Sequence, residues 1–330
     1  MLHKLKIPTS FSVVKKGSIT FFVKEPYKEI IINMIINAGY LHNKDGSNVT
    51  VKFGRGSYLS IPVTHNNAER FVIRNYRHGG LLGKLFGGVF CDGNRPLNEI
   101  YINEIASQKG VPSAEVIAIT KRKLWGFFYK ADFITKEISG AVDITQFLKE
   151  SSLQSIQKSK KPIIFALVKL IRSMHDAGIY HADLHLKNIL LKKDLNGEFN
   201  AYIIDLDKSV ILNTLSINQR VKNLLRLDRS LEKLRWLSGA TNISQTDTRD
   251  PGNHQFNRDC SPSNDLTNSE KLVPINKKLN LISRTDRIRF FKSYMLHNPF
   301  DKDWKKYIRQ YPSSYSLHKF WWRVLGLSPK

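Results

Sequence analysis

The chain has 330 residues, of which 41% are hydrophobic, so it can form one large domain or two smaller lobes around a cleft. Its 52 Lys and Arg residues against 28 Asp and Glu give a net charge of +24, which predicts an anionic partner. The two cysteines do not suit a disulfide framework or a thiolate zinc site, and no stretch reaches the ~20 apolar residues of a membrane span.

The first half of the chain is predicted to form a mainly β lobe with one helix, covering residues 48–137. Residues 1–47 are interpreted as an N-terminal extension, and a glycine-rich stretch at 79–88 as a loop. Periodicity and β-branched residues predict the other elements. In chain order these are a strand pair within 49–63, a strand at 71–76, a helix at 95–109, and strands at 116–120 and 124–134.

The second half is predicted to form a helical lobe over residues 138–330. Asp143 suits a helix N-cap, and apolar periodicity over 162–176 predicts a buried helix that ends at Gly178. Residues 239–276 are rich in Ser, Thr, Asn and Asp and are predicted to be a polar insertion. The remaining elements are short strands at 189–191 and 201–204, helices at 217–237 and 284–297, and a basic, aromatic tail at 304–324.

One motif carries residue types suited to phosphoryl transfer: His181-Ala-Asp183-Leu-His-Leu-Lys-Asn188, followed by Asp205 at the end of an apolar strand. This order matches the catalytic loop and metal-binding Asp of kinases. Asp183 is predicted to orient the attacking hydroxyl and accept its proton. Asn188 and Asp205 would supply oxygen ligands to Mg²⁺ beside ATP, and His181 would brace the loop by hydrogen bonding.

The motif has two other interpretations. The aspartates could simply cap a helix and end a strand, but the ordered combination with the right elements between them disfavours that reading. His181, Asp183 and His185 alternate, so an extended segment could direct all three to one side as metal ligands. No further ligand at a recognisable spacing completes such a site.

Residues upstream of this motif predict the remaining parts of a nucleotide site. Gly54 and Gly56 lie in a turn where a backbone without Cβ can approach phosphates. Arg74 ends a strand at the place where kinases carry a lysine, and arginine can also bind phosphate bidentately. Glu99 on the next helix is the predicted partner of Arg74, with Glu104 as the alternative. Both lie on a mainly polar helix face, where either could simply be solvated.

Over roughly residues 50–235 the chain resembles the lipopolysaccharide kinases, in particular those that act on Kdo (3-deoxy-D-manno-octulosonic acid). The segments that carry the resemblance are Gly54-Arg-Gly56-Ser, Val72–Leu81 with its Tyr-Arg-His-Gly-Gly run, Arg95-Pro-Leu-Asn-Glu99, His181-Ala-Asp183-Leu, Ile204-Asp205-Leu-Asp207-Lys and Asn223–Leu234. The resemblance implies an α+β, bilobal protein-kinase-like fold, with a small β-rich N-lobe and a larger helical C-lobe.

The resemblance also implies an activity, a partner and a location. Family members use ATP to phosphorylate a Kdo hydroxyl, so the expected acceptor is an anionic glycolipid, a Kdo-bearing lipid A precursor. The net charge of +24 suits a cytoplasmic enzyme held peripherally on the anionic inner face of the inner membrane. Arg74, Arg77 and Lys84 could form an anion-binding rim. The segment Lys319-Phe-Trp-Trp-Arg could either lie in the membrane interface or dock on the helical lobe.

The sequence is also compatible with other functions. A basic nucleic-acid-binding protein would account for the charge, although no specific nucleic acid is expected, and a pseudokinase would keep the fold without turnover. Within kinases, a heptose or a protein is the alternative acceptor. The absence of the strand lysine and of Asp-Phe-Gly argues against a protein acceptor. Codon bias toward lysine is an alternative origin of the charge, and the oligomeric state is not predicted.

Overall fold

A computed structural model describes residues 7–37, 50–53, 57–63, 69–76, 88–91, 95–246 and 273–296. The chain divides into two compact units. The first comprises residues 1–141, 173–182 and 202–215, and the second comprises 142–172, 183–201 and 216–330. The first unit is rich in strands and the second in helices, which confirms the predicted α+β class. Among the helices of these ranges, none combines the length and apolar composition that crossing a bilayer requires.

The first unit is built on a seven-stranded antiparallel sheet with the strand order β1-β2-β6-β7-β5-β4-β3. Its strands are β1 (Phe11–Lys16), β2 (Ile19–Lys24), β3 (Thr50–Phe53), β4 (Ser57–Pro62), β5 (Arg70–Asn75), β6 (Val116–Lys123) and β7 (Tyr129–Lys136). Because β2 pairs with β6, residues 11–24 belong to this sheet. The prediction that 1–47 is a separate N-terminal extension is therefore wrong, and the first unit also runs past the predicted boundary at 137.

Alternating side chains of the sheet bury both of its faces. On one face, Ile31 and Ile35 of helix α1 (Lys28–Asn37) pack with Phe21 and Ile73 in one core cluster. On the other face, Ile100 of helix α2 (Arg95–Gln108) belongs to a second cluster with the aromatic residues of β7 and its neighbours. The period of two along each strand sends adjacent residues to opposite clusters. The helix predicted over 95–109 matches α2 closely.

The second unit contains most of the helices and a small sheet. Its helices are α3 (Ile144–Glu150), α4 (Leu153–Asp176, whose last residues lie in the first unit), α5 (Ile217–Thr246), α6 (Ile275–Asn280) and α7 (Arg284–Met295). Its sheet has the order β11-β10-β8, from β8 (Val142–Asp143), β10 (Ile189–Lys193) and β11 (Phe199–Ile203). The first unit also holds a two-stranded sheet of β9 (Ile179–Tyr180) and β12 (Val210–Ile211).

Several predicted boundaries differ from the structure for identifiable reasons. The Asp143 carboxylate accepts hydrogen bonds from the amides of Thr145 and Gln146, as expected of an N-cap. Helix α4 begins at Leu153, and Pro162 lies inside it rather than at its start. The first turns of α4 carry few apolar residues, so they lack the periodicity that marks the rest. Residues 239–246 of the predicted insertion belong to α5, while 247–272 lie outside the described residues.

Candidate active site

The loop that follows β9 positions the predicted catalytic aspartate. The Asn188 side chain is buried at the end of a short 3₁₀ turn (Leu186–Asn188), and its Nδ2 donates to the main-chain oxygen of Asp183 at 3.0 Å. The Leu186 amide donates to Ser230 Oγ on α5 at 3.1 Å. The Asp183 side chain is 45% exposed, with His185 Nε2 at 3.7 Å from its Oδ2. The loop therefore holds the Asp183 backbone in place and leaves its carboxylate accessible.

The alternative metal site at His181, Asp183 and His185 finds no support in the structure. The His181 side chain is buried in the first unit, immediately after β9. Within the residues that the structure describes, no group of three or more His, Cys, Asp or Glu side chains is arranged to hold a metal ion. The bracing role predicted for His181 is compatible with its burial and remains a prediction.

Asp205 stands at a strained turn after β11. Its φ is +66°, and among the described residues no other non-glycine residue has a positive φ. Aspartate tolerates this left-handed conformation better than most residues, at a cost of ~1–2 kcal/mol. The turn is anchored on both sides, because β11 meets the segment after α2 at the Ser113–Ile203 bridge and the Ser209 amide donates to the Leu206 carbonyl at 2.9 Å. Strain held by its surroundings is typical of functional positions.

A forked ion pair joins the first residue of α2 to the segment after Asp205. Arg95 Nε donates to Asp207 Oδ1 at 2.7 Å, and Arg95 Nη2 donates to Asp207 Oδ2. The guanidinium also lies over the rings of Tyr76, at 5.2 Å, and Phe90, at 4.9 Å from the centroids. Bidentate pairing and contacts with two neighbouring rings fix the Arg95 side chain. The position of α2 is thereby coupled to the Asp205–Asp207 segment within the first unit.

Glu99, the predicted partner of Arg74, lies one turn after Arg95 on α2 and is only 2% exposed, so the alternative that its side chain is merely solvated is wrong. Burial is the main cause that raises its pKa well above the ordinary value, and the nearby charge of Asp205 raises it further. The charge of Arg74 acts in the opposite direction. The alternative partner, Glu104, instead has a carboxylate oxygen 3.7 Å from Lys24 Nζ.

Arg74 lies on β5, directly opposite Phe133 of β7, and its guanidinium is 5.1 Å from the Phe133 ring centroid. The first unit therefore brings Arg74, Glu99 and Asp205 within electrostatic range of one another. Several predicted features lie outside the described residues: Gly54, Gly56, Arg77, Lys84, most of the glycine-rich loop and the segment at 304–324.

Arg95 and Asp207 were not among the predicted site residues, although both lie in segments that carry the family resemblance. Two sequence signals point to them. Arg95 stands four residues before Glu99, on the same side of the helix, and Asp207 stands two residues after Asp205. Neither signal indicates that the two side chains meet, because 112 positions separate them along the chain.

The second unit also contains an apolar cavity of about 740 Å³. Side chains of α3, α4, α5 and α7 line it, among them Leu148, Ile164, Leu231 and Phe291, and Leu186 is its contribution from the catalytic loop. None of the predicted site residues that the structure describes lines this cavity. Its walls are mainly apolar, and three of its cations, Lys160, Arg235 and Arg287, already pair with carboxylates, so it does not suit a triphosphate.

Comparison with known proteins identifies a family and several relatives of the chain. The sequence model of the lipopolysaccharide kinase (Kdo/WaaP) family matches residues 56–250. The 3-deoxy-D-manno-octulosonic acid kinase of Haemophilus influenzae is 34% identical over 186 residues, which cover 54% of this chain and 73% of that protein. The enzyme of the same name from Photobacterium damsela subsp. piscicida is 33% identical over 168 residues, covering 49% of this chain and 64% of that protein.

Among solved structures, a structure described as WaaP in complex with acyl carrier protein shares 16% identity with this chain at a TM-score of 0.49. The match covers 89% of this chain and 97% of that one.

Proposed function

Because the chain belongs to the lipopolysaccharide kinase (Kdo/WaaP) family, we propose that it transfers the γ-phosphoryl group of ATP to a hydroxyl of Kdo in the inner core of lipopolysaccharide. The observation that carries this proposal is the family match over 56–250, which contains Asp183, Asn188 and Asp205 in the order that phosphoryl transfer requires. The choice of Kdo as the acceptor rests on the two relatives, each named 3-deoxy-D-manno-octulosonic acid kinase.

Asp183 has the chemistry of the residue that activates the acceptor. Its carboxylate is partly exposed, while its backbone is held by Asn188 and the loop is anchored to α5. In the proposed reaction it accepts a hydrogen bond from the attacking hydroxyl and takes the proton as the oxygen–phosphorus bond forms. The phosphoryl group leaves ADP in line with the incoming oxygen. Orientation of the hydroxyl, rather than a covalent intermediate, is the contribution of this loop.

Mg²⁺ is the metal proposed to accompany ATP. Asn188 and Asp205 offer amide and carboxylate oxygens, which are the ligand types that Mg²⁺ prefers. The charge of Asp205 helps to raise the pKa of the buried Glu99, and a cation beside Asp205 would reduce that effect. When bound, Mg²⁺ neutralises charge on the β- and γ-phosphates.

Arg74 is the proposed contact for the α- and β-phosphates, in the place where kinases carry a lysine. Its guanidinium can donate two hydrogen bonds to one phosphate group. The contact with Phe133 orients it from the protein side, and its charge acts to lower the pKa of the nearby Glu99. In this proposal Glu99 positions Arg74. The Arg95–Asp207 ion pair holds α2 so that Glu99 stays beside Arg74.

The acceptor in this proposal is an anionic glycolipid, a Kdo-bearing lipid A precursor, and the enzyme works peripherally at the cytoplasmic face of the inner membrane. The net charge of +24 supports attraction to both the acidic sugar and an anionic bilayer surface.

The experiment that tests the acceptor compares phosphate transfer from labelled ATP with Mg²⁺ to three dispersed acceptors. These are a Kdo-bearing lipid A precursor, a heptose-bearing core glycolipid lacking a free Kdo hydroxyl, and a general protein substrate. Mass spectrometry of the product should show one phosphate on the Kdo residue. Labelling of the heptose glycolipid alone would contradict the Kdo assignment while keeping the kinase. The absence of transfer to every acceptor would contradict the kinase assignment itself.

A further inference from the structure

Two hairpin tips of the first unit adjoin at one end of the seven-stranded sheet. The β1–β2 turn covers residues 17–18, and the β6–β7 turn covers 124–128. The Lys123 amide donates to the Ser18 carbonyl at 2.9 Å, and Ile19 pairs with Arg122 where β2 meets β6. The two tips therefore form one continuous surface, which we call the hairpin-tip surface.

The β6–β7 turn presents large apolar side chains to solvent. Trp125 is 70% exposed and Phe127 is 71% exposed. Both rings contact Phe128, with centroids 4.4 Å and 4.5 Å from its own. Two backbone hydrogen bonds close the turn, from the Phe128 amide to the Trp125 carbonyl and from the Leu124 amide to the Phe128 carbonyl. The exposed rings thus belong to an ordered turn, and an ordered apolar protrusion indicates a binding surface.

A row of cations lies on one face of the sheet, next to this aromatic tip. Lys16, Arg122 and Lys130 occupy one cross-strand row, joined through Ile19, so their side chains leave the same face of the sheet. Arg122 and Lys130 stand directly opposite each other, an arrangement of like charges that a sheet disfavours unless an anion binds nearby. The segments 10–24 and 116–131 contain no Asp or Glu. A site for several negative charges therefore lies beside the apolar tip.

One carboxylate lies close to this row. Asp132 is buried, accepts hydrogen bonds from Asn75 and Thr120, and senses the charges of Arg122 and Lys130. Burial is the main cause that raises its pKa. A single buried carboxylate that is already engaged with neutral partners does not compensate three cations, so the row remains electropositive.

We propose that the hairpin-tip surface docks the protein on anionic phospholipid bilayers. Trp125 and Phe127 would enter the headgroup–acyl boundary, where aromatic rings are favoured, while Lys16, Arg122 and Lys130 contact lipid phosphates. The exposed rings pack on each other through Phe128, so they form one compact apolar tip rather than the separated stacking platforms of a nucleic-acid groove. This inference rests on the membrane location proposed above and assigns it to specific residues.

The test measures binding of the full-length protein to vesicles of phosphatidylglycerol and phosphatidylethanolamine, with phosphatidylcholine vesicles for comparison. Trp125→Ala combined with Phe127→Ala should weaken binding to the anionic vesicles roughly tenfold or more, from the apolar area withdrawn from lipid. The matched control is Phe165→Ala, which removes a ring that is 64% exposed on α4 and should leave binding unchanged. Replacing Lys16, Arg122 and Lys130 by Gln should also weaken binding roughly tenfold and reduce its salt dependence. The control for charge replaces Lys158, Lys161 and Lys169 of α4.

Quenching of tryptophan fluorescence by brominated lipids measures insertion of the Trp125 indole into the bilayer directly. The wild type should lose more fluorescence than Trp125→Phe, which lacks the inserted indole. Phosphate transfer to a detergent-dispersed acceptor should be equal in all these variants, so a failure of docking is distinguishable from a failure of the kinase proposal. Unchanged vesicle binding by the aromatic variant, equal quenching in wild type and Trp125→Phe, or equal binding to phosphatidylcholine would each overturn the inference. The inference would also be overturned if the Trp125→Ala, Phe127→Ala variant lost binding to single-stranded nucleic acid but kept binding to vesicles.

Discussion

The Arg95–Asp207 ion pair provides the sharpest test of how the first unit holds its site residues. The two side chains are 22% and 10% exposed, and the pair is bidentate. Arg95→Met leaves the Asp207 charge without its partner, close to Asp205 and Glu99, and removes two ring contacts. Breaking a mostly buried pair in this way costs about 3–4 kcal/mol, at the lower end of the range for fully buried pairs.

Asp207→Asn should cost less than Arg95→Met, because the Asn amide oxygen still accepts a hydrogen bond and Arg95 keeps its contacts with Tyr76 and Phe90. We expect about 1–2 kcal/mol for this change. The double variant should cost about 2–3 kcal/mol, less than Arg95→Met alone because no carboxylate is then left unpaired. The two single changes should therefore couple by roughly 2–3 kcal/mol. Lys136→Met is the matched control in the same unit. It breaks a more exposed pair with Glu69 and should cost less than about 1 kcal/mol.

The assay is amide hydrogen exchange of peptides from β5 and β7, which reports the free energy of opening of the first unit directly. Additive single changes would show that the two side chains do not interact. An Asp207→Asn cost equal to that of Arg95→Met would contradict the inference that an unpaired carboxylate near Asp205 is the main penalty.

Three further predictions follow from the first unit. Because the pKa of Glu99 is raised on folding, the folded state binds its proton more tightly than the unfolded state, and stability falls as the pH rises above the ordinary pKa of 4.5. Glu99→Gln should therefore raise the thermal midpoint at pH 8, and this gain should disappear toward pH 4.5. A loss of stability at pH 8 would contradict this. Steady-state kinetics should show that Arg74→Met raises the KM for ATP at least tenfold, and that Arg74→Lys raises it by less, because lysine keeps the charge but loses the bidentate hydrogen bonds. A KM for ATP in Arg74→Met equal to that of the wild type would contradict the placement of Arg74 in the nucleotide site. Gly178→Ala should cost roughly 3 kcal/mol in urea unfolding, since its Cβ would lie 2.0 Å from the Leu212 carbonyl oxygen at a φ of +79°. Gly140→Ala, at a φ of +73° with open space around it, should cost about 1 kcal/mol, and equal costs would show that the close approach is not the cause.

Local signals predicted the elements that local chemistry determines. The Asp143 cap marked the start of α3, and the apolar periodicity before Gly178 marked the buried part of α4. The order of Asp183, Asn188 and Asp205 was sufficient to indicate a kinase, because phosphoryl transfer requires those groups in any fold of this class. The strand pair within 49–63 and the strand at 71–76 correspond to β3, β4 and β5.

Features that depend on partners far apart in the chain were not predictable. The membership of β1 and β2 in the sheet depends on the pairing of β2 with β6, about 100 residues later, and neither strand carries a signal for that partner. The segment 124–128 was predicted as strand because its residues are aromatic, yet it is the exposed turn that presents Trp125 and Phe127. The polar surroundings of Glu99 along α2 concealed its burial, which results from tertiary packing.

Asp183 is proposed to orient the acceptor hydroxyl and accept its proton, and this role can be tested by comparing the transfer rate with ATP binding. Single-turnover transfer from labelled ATP with Mg²⁺ to a Kdo-bearing lipid A precursor is compared in wild type and Asp183→Asn, together with equilibrium binding of ATP. Asp194→Asn, a similarly conservative change in the β10–β11 turn, is the control. We predict that Asp183→Asn lowers the transfer rate by roughly 10²-fold or more while ATP binding stays within about twofold. Transfer at the wild-type rate in Asp183→Asn would contradict the assignment of Asp183 as the residue that orients the acceptor and accepts its proton.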